Sequence, residues 1–105
     1  MTDKTIEWNL GFAYKEVIER LEKLLTQARY VYTRAGTHSE MHFQVALSQG
    51  TLELHARPLR SHRSPFSSQI ILHRTLLTMT FAGASADEEQ TFLQRLTLAF
   101  LRVGG

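Results

Sequence analysis

Five histidines, His38, His42, His55, His62 and His73, are the first residues in this chain with chemistry to offer. An imidazole binds a transition metal or moves a proton when a second imidazole or a carboxylate stands beside it. His42 and His55 fall in two neighbouring segments of alternating residue type, Met41–Ser48 and Thr51–Arg57, with Glu53 two residues before His55. Two imidazoles and a carboxylate on one wet sheet face can hold zinc. Closing the segments over a two-residue Gln49-Gly50 turn, however, sets Arg57 opposite His42, where its charge repels a dication. The expectation is a pair of polar surface histidines with no metal and no other cofactor.

Covalent catalysis finds less support. Ser61, Ser64, Ser67 and Ser68 surround His62, but a triad needs a carboxylate to orient its base, and residues 54–86 contain none. The six glycines form neither GxGxxG nor GxxxxGK, so no phosphate loop is written here. The chain has no cysteine, which excludes disulfides, thiolate metal sites, iron–sulfur clusters and thiol nucleophiles together. No residue is assigned a catalytic role, and the reading leans away from an enzyme.

The acid-free stretch carries the feature with most functional reach. It holds Arg57, Arg60, Arg63 and Arg74 and no lysine; the three lysines lie at 4, 15 and 23. A guanidinium grips carboxylate or phosphate through two parallel hydrogen bonds, which an ammonium cannot do. Arg57, Arg60 and Arg63 stand three apart where a strand runs into the loop Pro58–Ser68. With His62 and Phe66 they would make an anion-binding lip, and the Phe66 ring would stack a base. Arg57, Arg60, His62, Arg63, Phe66 and Arg74, with His42 and His55 on the adjoining face, are thus the candidate partner-binding residues. The first expectation is protein binding and assembly, with an acidic protein as one partner beside a second copy of the chain. The second is a nucleic acid held by Arg57, Arg60 and Arg63, weakly and with strong salt dependence.

The elements that position these residues follow from periodicity. Ile6, Trp8 and Leu10 alternate with polar residues as in a half-buried strand. From Phe12 to Ala28 the period becomes helical, with Tyr14, Val17, Ile18, Leu21, Leu24, Leu25 and Ala28 on one stripe. Glu16–Arg20 and Glu19–Lys23 pair at i,i+4 on the other. Arg29–Arg34 is strand-like, and the two segments around Gln49-Gly50 form a hairpin with Leu47 facing Leu52 and Val45 facing Leu54. Residues 69–82 make one bent strand or two pieces. Ser85 and Glu88 form a capping box for a second helix, Glu88 reaching back to the Ser85 end.

The closing residues, Leu101-Arg102-Val103-Gly104-Gly105, pose a separate question, because an arginine before Gly-Gly also ends ubiquitin-like carriers. Helical spacing from Phe92 to Val103 makes Gly104 a helix stop instead.

With 43% hydrophobic and 21% charged residues, the 105 residues should form one folded domain with a core. The expected architecture is a two-layer α+β sandwich of order β-α-β-β-β-β-α, with four to five antiparallel strands and two helices on one face. Tyr30, Tyr32, Ile70, Leu72 and Leu76 would then project from the open face and favour a homodimer. No apolar run is long enough to span a bilayer, and the polar start carries no leader, so the expected location is the cytoplasm. Function is expected to be partner binding and assembly through the open sheet face and the arginine loop.

Overall fold

Strict alternation in four sequence segments produces a sheet with one apolar and one polar side. The computed structural model describes residues 3–60, 62–64 and 67–101, with 62–64 and 67–72 described as backbone only. The elements are β1 (Lys4–Leu10), α1 (Tyr14–Gln27), β2 (Val31–Thr37), β3 (Glu40–Ala46), β4 (Thr51–Pro58), β5 (His62–Ser64), β6 (Ser67–Leu72), β7 (Thr75–Ala82) and α2 (Ala86–Ala99). Five strands form one antiparallel sheet in the order β1-β7-β4-β3-β2, and β5 pairs with β6 as a separate ribbon. The main body is therefore the expected α+β arrangement, with the ribbon inserted between its third and fourth consecutive strands after α1.

The register sorts side chains into rows running across the strands. Tyr32, Val45, Leu52 and Phe81 make one apolar row, and Phe43, Leu54, Met79 and Ile6 make the next. Met41, Ala56, Leu77 and Trp8 make a third. Onto these rows α1 lowers Val17, Ile18, Leu21, Leu24 and Leu25, and α2 lowers Phe92 and Leu96. Phe43, Phe81, Phe92, Leu21, Leu52 and Leu54 are wholly withdrawn from water. Each such side chain contributes roughly 1.5–3 kcal/mol relative to its exposed state. The buried hydroxyl of Thr75 is satisfied, donating to the Phe12 carbonyl at 2.8 Å.

Helix ends are set by specific contacts. Ser85 Oγ accepts the Glu88 amide at 3.2 Å, as its N-cap position requires. The reciprocal half of the capping box does not form, because the Glu88 carboxylate is engaged by Ser48 and Gln49. The far end of α2 also departs from expectation. Phe100 is the C-cap, its amide bonded to the Leu96 carbonyl at 3.1 Å, so the helix ends before Gly104 could stop it. The carrier-tail question falls on residues outside those described.

The β3–β4 hairpin corrects a second expectation. Ala46 pairs with Thr51, leaving a four-residue connection of Leu47 to Gly50 instead of a two-residue turn. Val45 consequently faces Leu52 and Phe43 faces Leu54, a slip of two residues. A slip of two preserves which face each side chain occupies but changes every cross-strand neighbour. His42 thus stands opposite His55, not Arg57. The long loop Pro58–Ser68 is likewise corrected in part, since β5 and the start of β6 occupy 62–64 and 67–68.

Candidate binding surface

Both helices pack on the apolar rows, so neither covers the other side of the sheet. Its side chains are polar and mostly small. One row reads Ala35, His42, His55, Thr78 and Glu7 across all five strands. The next reads Thr33, Gln44, Glu53, Thr80 and Thr5. A shallow hollow of about 360 Å³ opens here, bordered by Val31, Thr33, Gln44, Ala46, Thr51 and Glu53. On the helix side, a wider groove of about 850 Å³ runs between the helices past Glu16, Glu19, Lys23, Arg95 and Leu98.

Cross-strand pairing brings the two histidine rings together at 4.3 Å between centroids, stacked within 14°. Glu40 lies two residues before His42 on the same strand, hence on the same face. Its Oε1 is 2.5 Å from His55 Nε2 and 3.5 Å from His42 Nε2. Glu53 approaches the other side of the His42 ring, with Oε1 3.7 Å from Nδ1. Two carboxylates and two imidazoles therefore share one patch, with Ala35 and Thr78 as small neighbours in the row. At the rim, the Tyr14 hydroxyl donates to the Thr37 carbonyl at 2.8 Å. Burial raises the Tyr14 pKa most, nearby Glu40 raises it further, and Arg34 opposes both.

Arg57, Arg60 and Arg74 lie at one end of the sheet. Arg57 extends the β4 row and pairs with Leu76, and the ladder ends one step later at Pro58 and Thr75. There the Leu59 amide donates to the Arg74 carbonyl at 2.9 Å, drawing the chain on either side of the ribbon together. Arg57, Arg60 and Arg74 are exposed. Among the described residues, the ion pairs of arginine are Arg20 with Glu16 and Arg34 with Glu22, and none involves Arg57, Arg60 or Arg74. Of the remaining candidates, His62 and Arg63 lie on β5, described as backbone only, and Phe66 lies outside the described residues.

Two aromatic side chains expected on this face are elsewhere. Tyr30 meets the Phe92 ring edge-on at 5.8 Å, and its hydroxyl accepts from Arg95 at 2.8 Å. Tyr32 leans on Phe43, 6.0 Å away, in an apolar row. The reason is that β2 runs Val31–Thr37 with register fixed by β3, which turns even-numbered positions toward the helices. Leu76 does lie on the open side, half-buried between β4 and β1. The side chains of Ile70 and Leu72 fall outside those described.

Glu40 is the residue that sequence reasoning did not place in the histidine patch. Its signal was present as i−2 spacing to His42, but joining it to His55 requires the four-residue connection. No helix among the described residues is long and apolar enough to cross a membrane. Comparison with protein-family models finds no match, and comparison with curated proteins finds none.

Proposed function

We propose that this chain is a small binding and assembly module, not an enzyme, and that its working surface is the uncovered sheet face with Arg57, Arg60 and Arg74 at one end. Its partner is an acidic segment of another protein. One observation carries this reading: the three arginines are exposed at the same end of the sheet, and no described ion pair engages any of them. Lys4, Arg20 and Arg34, by contrast, are each paired with a glutamate. Free guanidinium forks match carboxylates in pairs, and His55 and Thr78 in the adjoining row offer further hydrogen bonds. In the same reading the protein works in the cytoplasm, and two copies associate along β2. That strand is a sheet edge whose Val31 is 74% exposed, and edge strands pair readily when nothing covers them.

The test is fluorescence anisotropy of a labelled glutamate-rich peptide against the wild type and an Arg57→Ala, Arg60→Ala, Arg74→Ala variant. Binding should weaken at least about tenfold in the variant, since charge-assisted hydrogen bonds contribute roughly 1.5–3 kcal/mol each where water is excluded. Equal affinity for both proteins would defeat the proposal. Tighter binding of a single-stranded oligonucleotide, lost with Arg57, Arg60 and Arg63, would replace it with nucleic-acid recognition. Light scattering on a Val31→Lys variant checks the assembly half, because a charge on the edge should leave only monomer.

A further inference from the structure

We infer that Glu40, His42 and His55 form a site for a divalent transition-metal ion of the zinc type. Each residue offers one ligand atom, and the three atoms lie within 4.8 Å of one another. Zinc bonds of about 2.0–2.2 Å to nitrogen and oxygen put neighbouring donors roughly 3–3.5 Å apart in a tetrahedral shell. Glu40 Oε1 and His42 Nε2 already stand 3.5 Å apart. The shorter contact, 2.5 Å from Glu40 Oε1 to His55 Nε2, is a hydrogen bond in which the ring nitrogen donates to the carboxylate. An ion at Nε2 would take the place of that proton, which passes to Nδ1 of the neutral ring. The stacked rings must splay from their 14° arrangement by rotation about their own side-chain bonds, and both rings are partly exposed.

Three further features fit a metal better than an accidental cluster. Glu53 sits at His42 Nδ1, the nitrogen left over when Nε2 binds an ion. A carboxylate there fixes the tautomer and ring direction of a ligating histidine. The row neighbours Ala35 and Thr78 carry no long side chain to cover the site. Finally, Arg57, two residues past His55 on the same face, is not the direct partner of His42, and two carboxylates at the imidazoles offset its charge. Nitrogen and oxygen donors without sulfur suit zinc over softer monovalent copper. Three protein ligands leave a fourth position turned to solvent, open to water or to a carboxylate. The site uses none of the arginines, although it lies on the same sheet face as the proposed partner-binding surface.

Untagged protein, stripped with chelator, should be titrated with zinc chloride by calorimetry. The expected result is one ion per chain with micromolar affinity. His42→Ala and His55→Ala should abolish saturation, while Glu53→Gln should weaken binding about tenfold, as loss of an outer carboxylate does. Glu40→Gln keeps the side-chain shape and should also lose most of the affinity. Metal-free circular dichroism on each variant separates ligand loss from unfolding, and a variant that does not fold is replaced by the corresponding His→Asn. Absence of saturable zinc binding in the wild type, or wild-type affinity in the folded histidine variants, overturns the site.

Discussion

Glu88 holds Ser48 twice, accepting its amide at 2.9 Å and its hydroxyl at 2.6 Å, and takes the Gln49 amide at 3.1 Å with the same carboxylate. One side chain in the first turn of α2 thereby fastens the connection between β3 and β4. The contact has a consequence for the open face. The four-residue connection sets the hairpin register, and the register sets His42 opposite His55.

Replacing Glu88 by Gln keeps the shape but removes the charge from three hydrogen bonds. The expected loss is about 1 kcal/mol, read as a lower melting temperature at neutral pH, since the group is only half-buried and water competes for it. The Glu88 pKa is lowered, first by the Ser48 hydroxyl and then by the Ser48 amide. A carboxyl depressed on folding stabilises the fold above its unfolded pKa and loses that contribution as pH falls through its folded value. Wild-type stability should therefore decline on acidification more steeply than that of Glu88→Gln. Parallel pH profiles would remove Glu88 as the cause.

Gly50 ends the same connection at φ +80°, a conformation that side chains with a Cβ resist. A Cβ built there would lie 2.1 Å from the Ala82 carbonyl oxygen and 2.5 Å from the Gly83 carbonyl carbon. Both are backbone atoms of the turn after β7, so neither can swing aside. Gly50→Ala should cost more than about 2 kcal/mol, combining the backbone penalty with displacement of that turn. A chemical denaturation curve within error of wild type would show that the hairpin and the β7 turn separate easily.

The layer structure was legible because it depends on parity alone. Ile6, Trp8 and Leu10, or Leu52 and Leu54, declare their face whatever their partners, and Val17 to Leu25 declare a stripe. Partner identity was not legible, because Gln49-Gly50 looks locally like a tight turn while its geometry is imposed by Glu88, 40 residues away. The same blindness hid Glu40 from the histidine pair and sent Tyr32 to the wrong side. Arg57, Arg60 and Arg74 could be grouped from sequence because the segment contains no acid. That none of the described ion pairs engages them is visible only in the fold.

Arg29 follows α1 in the left-handed region, at φ +60°. The Tyr30 amide bonds to the Leu25 carbonyl at 2.9 Å and the Arg29 amide to the Thr26 carbonyl at 3.1 Å, the paired closure that usually employs glycine. Arg29 is exposed and makes none of the described ion pairs. Arg29→Gly should therefore stabilise the protein, by up to about 1 kcal/mol, since it relieves strain while losing little contact. A drop in melting temperature would instead show that Arg29 has an electrostatic role on the native surface.

Arg20 links the two helices, and its loss should be felt more than an exposed i,i+4 pair would suggest. Its guanidinium donates to the Ala99 carbonyl at 2.7 Å and to Glu16 at 3.1 Å, while lying 4.6 Å over the Phe12 ring. Phe12 in turn meets Phe100 edge-on at 5.4 Å. The carbonyl belongs to the last residue of α2, where the helix dipole favours a cation and the final acceptors lack intrahelical donors. Lysine would preserve the charge but could not donate in two directions while lying flat on an aromatic face. Arg20→Lys should cost about 1 kcal/mol and Arg20→Met about 2 kcal/mol, the second value adding the unsatisfied carbonyl and lost cation–π contact. Hydrogen exchange should localise the effect to the last turn of α2, where the Phe100 amide bonds to Leu96. If both variants melt with the wild type and that turn stays equally protected, the helices are held by their apolar faces alone.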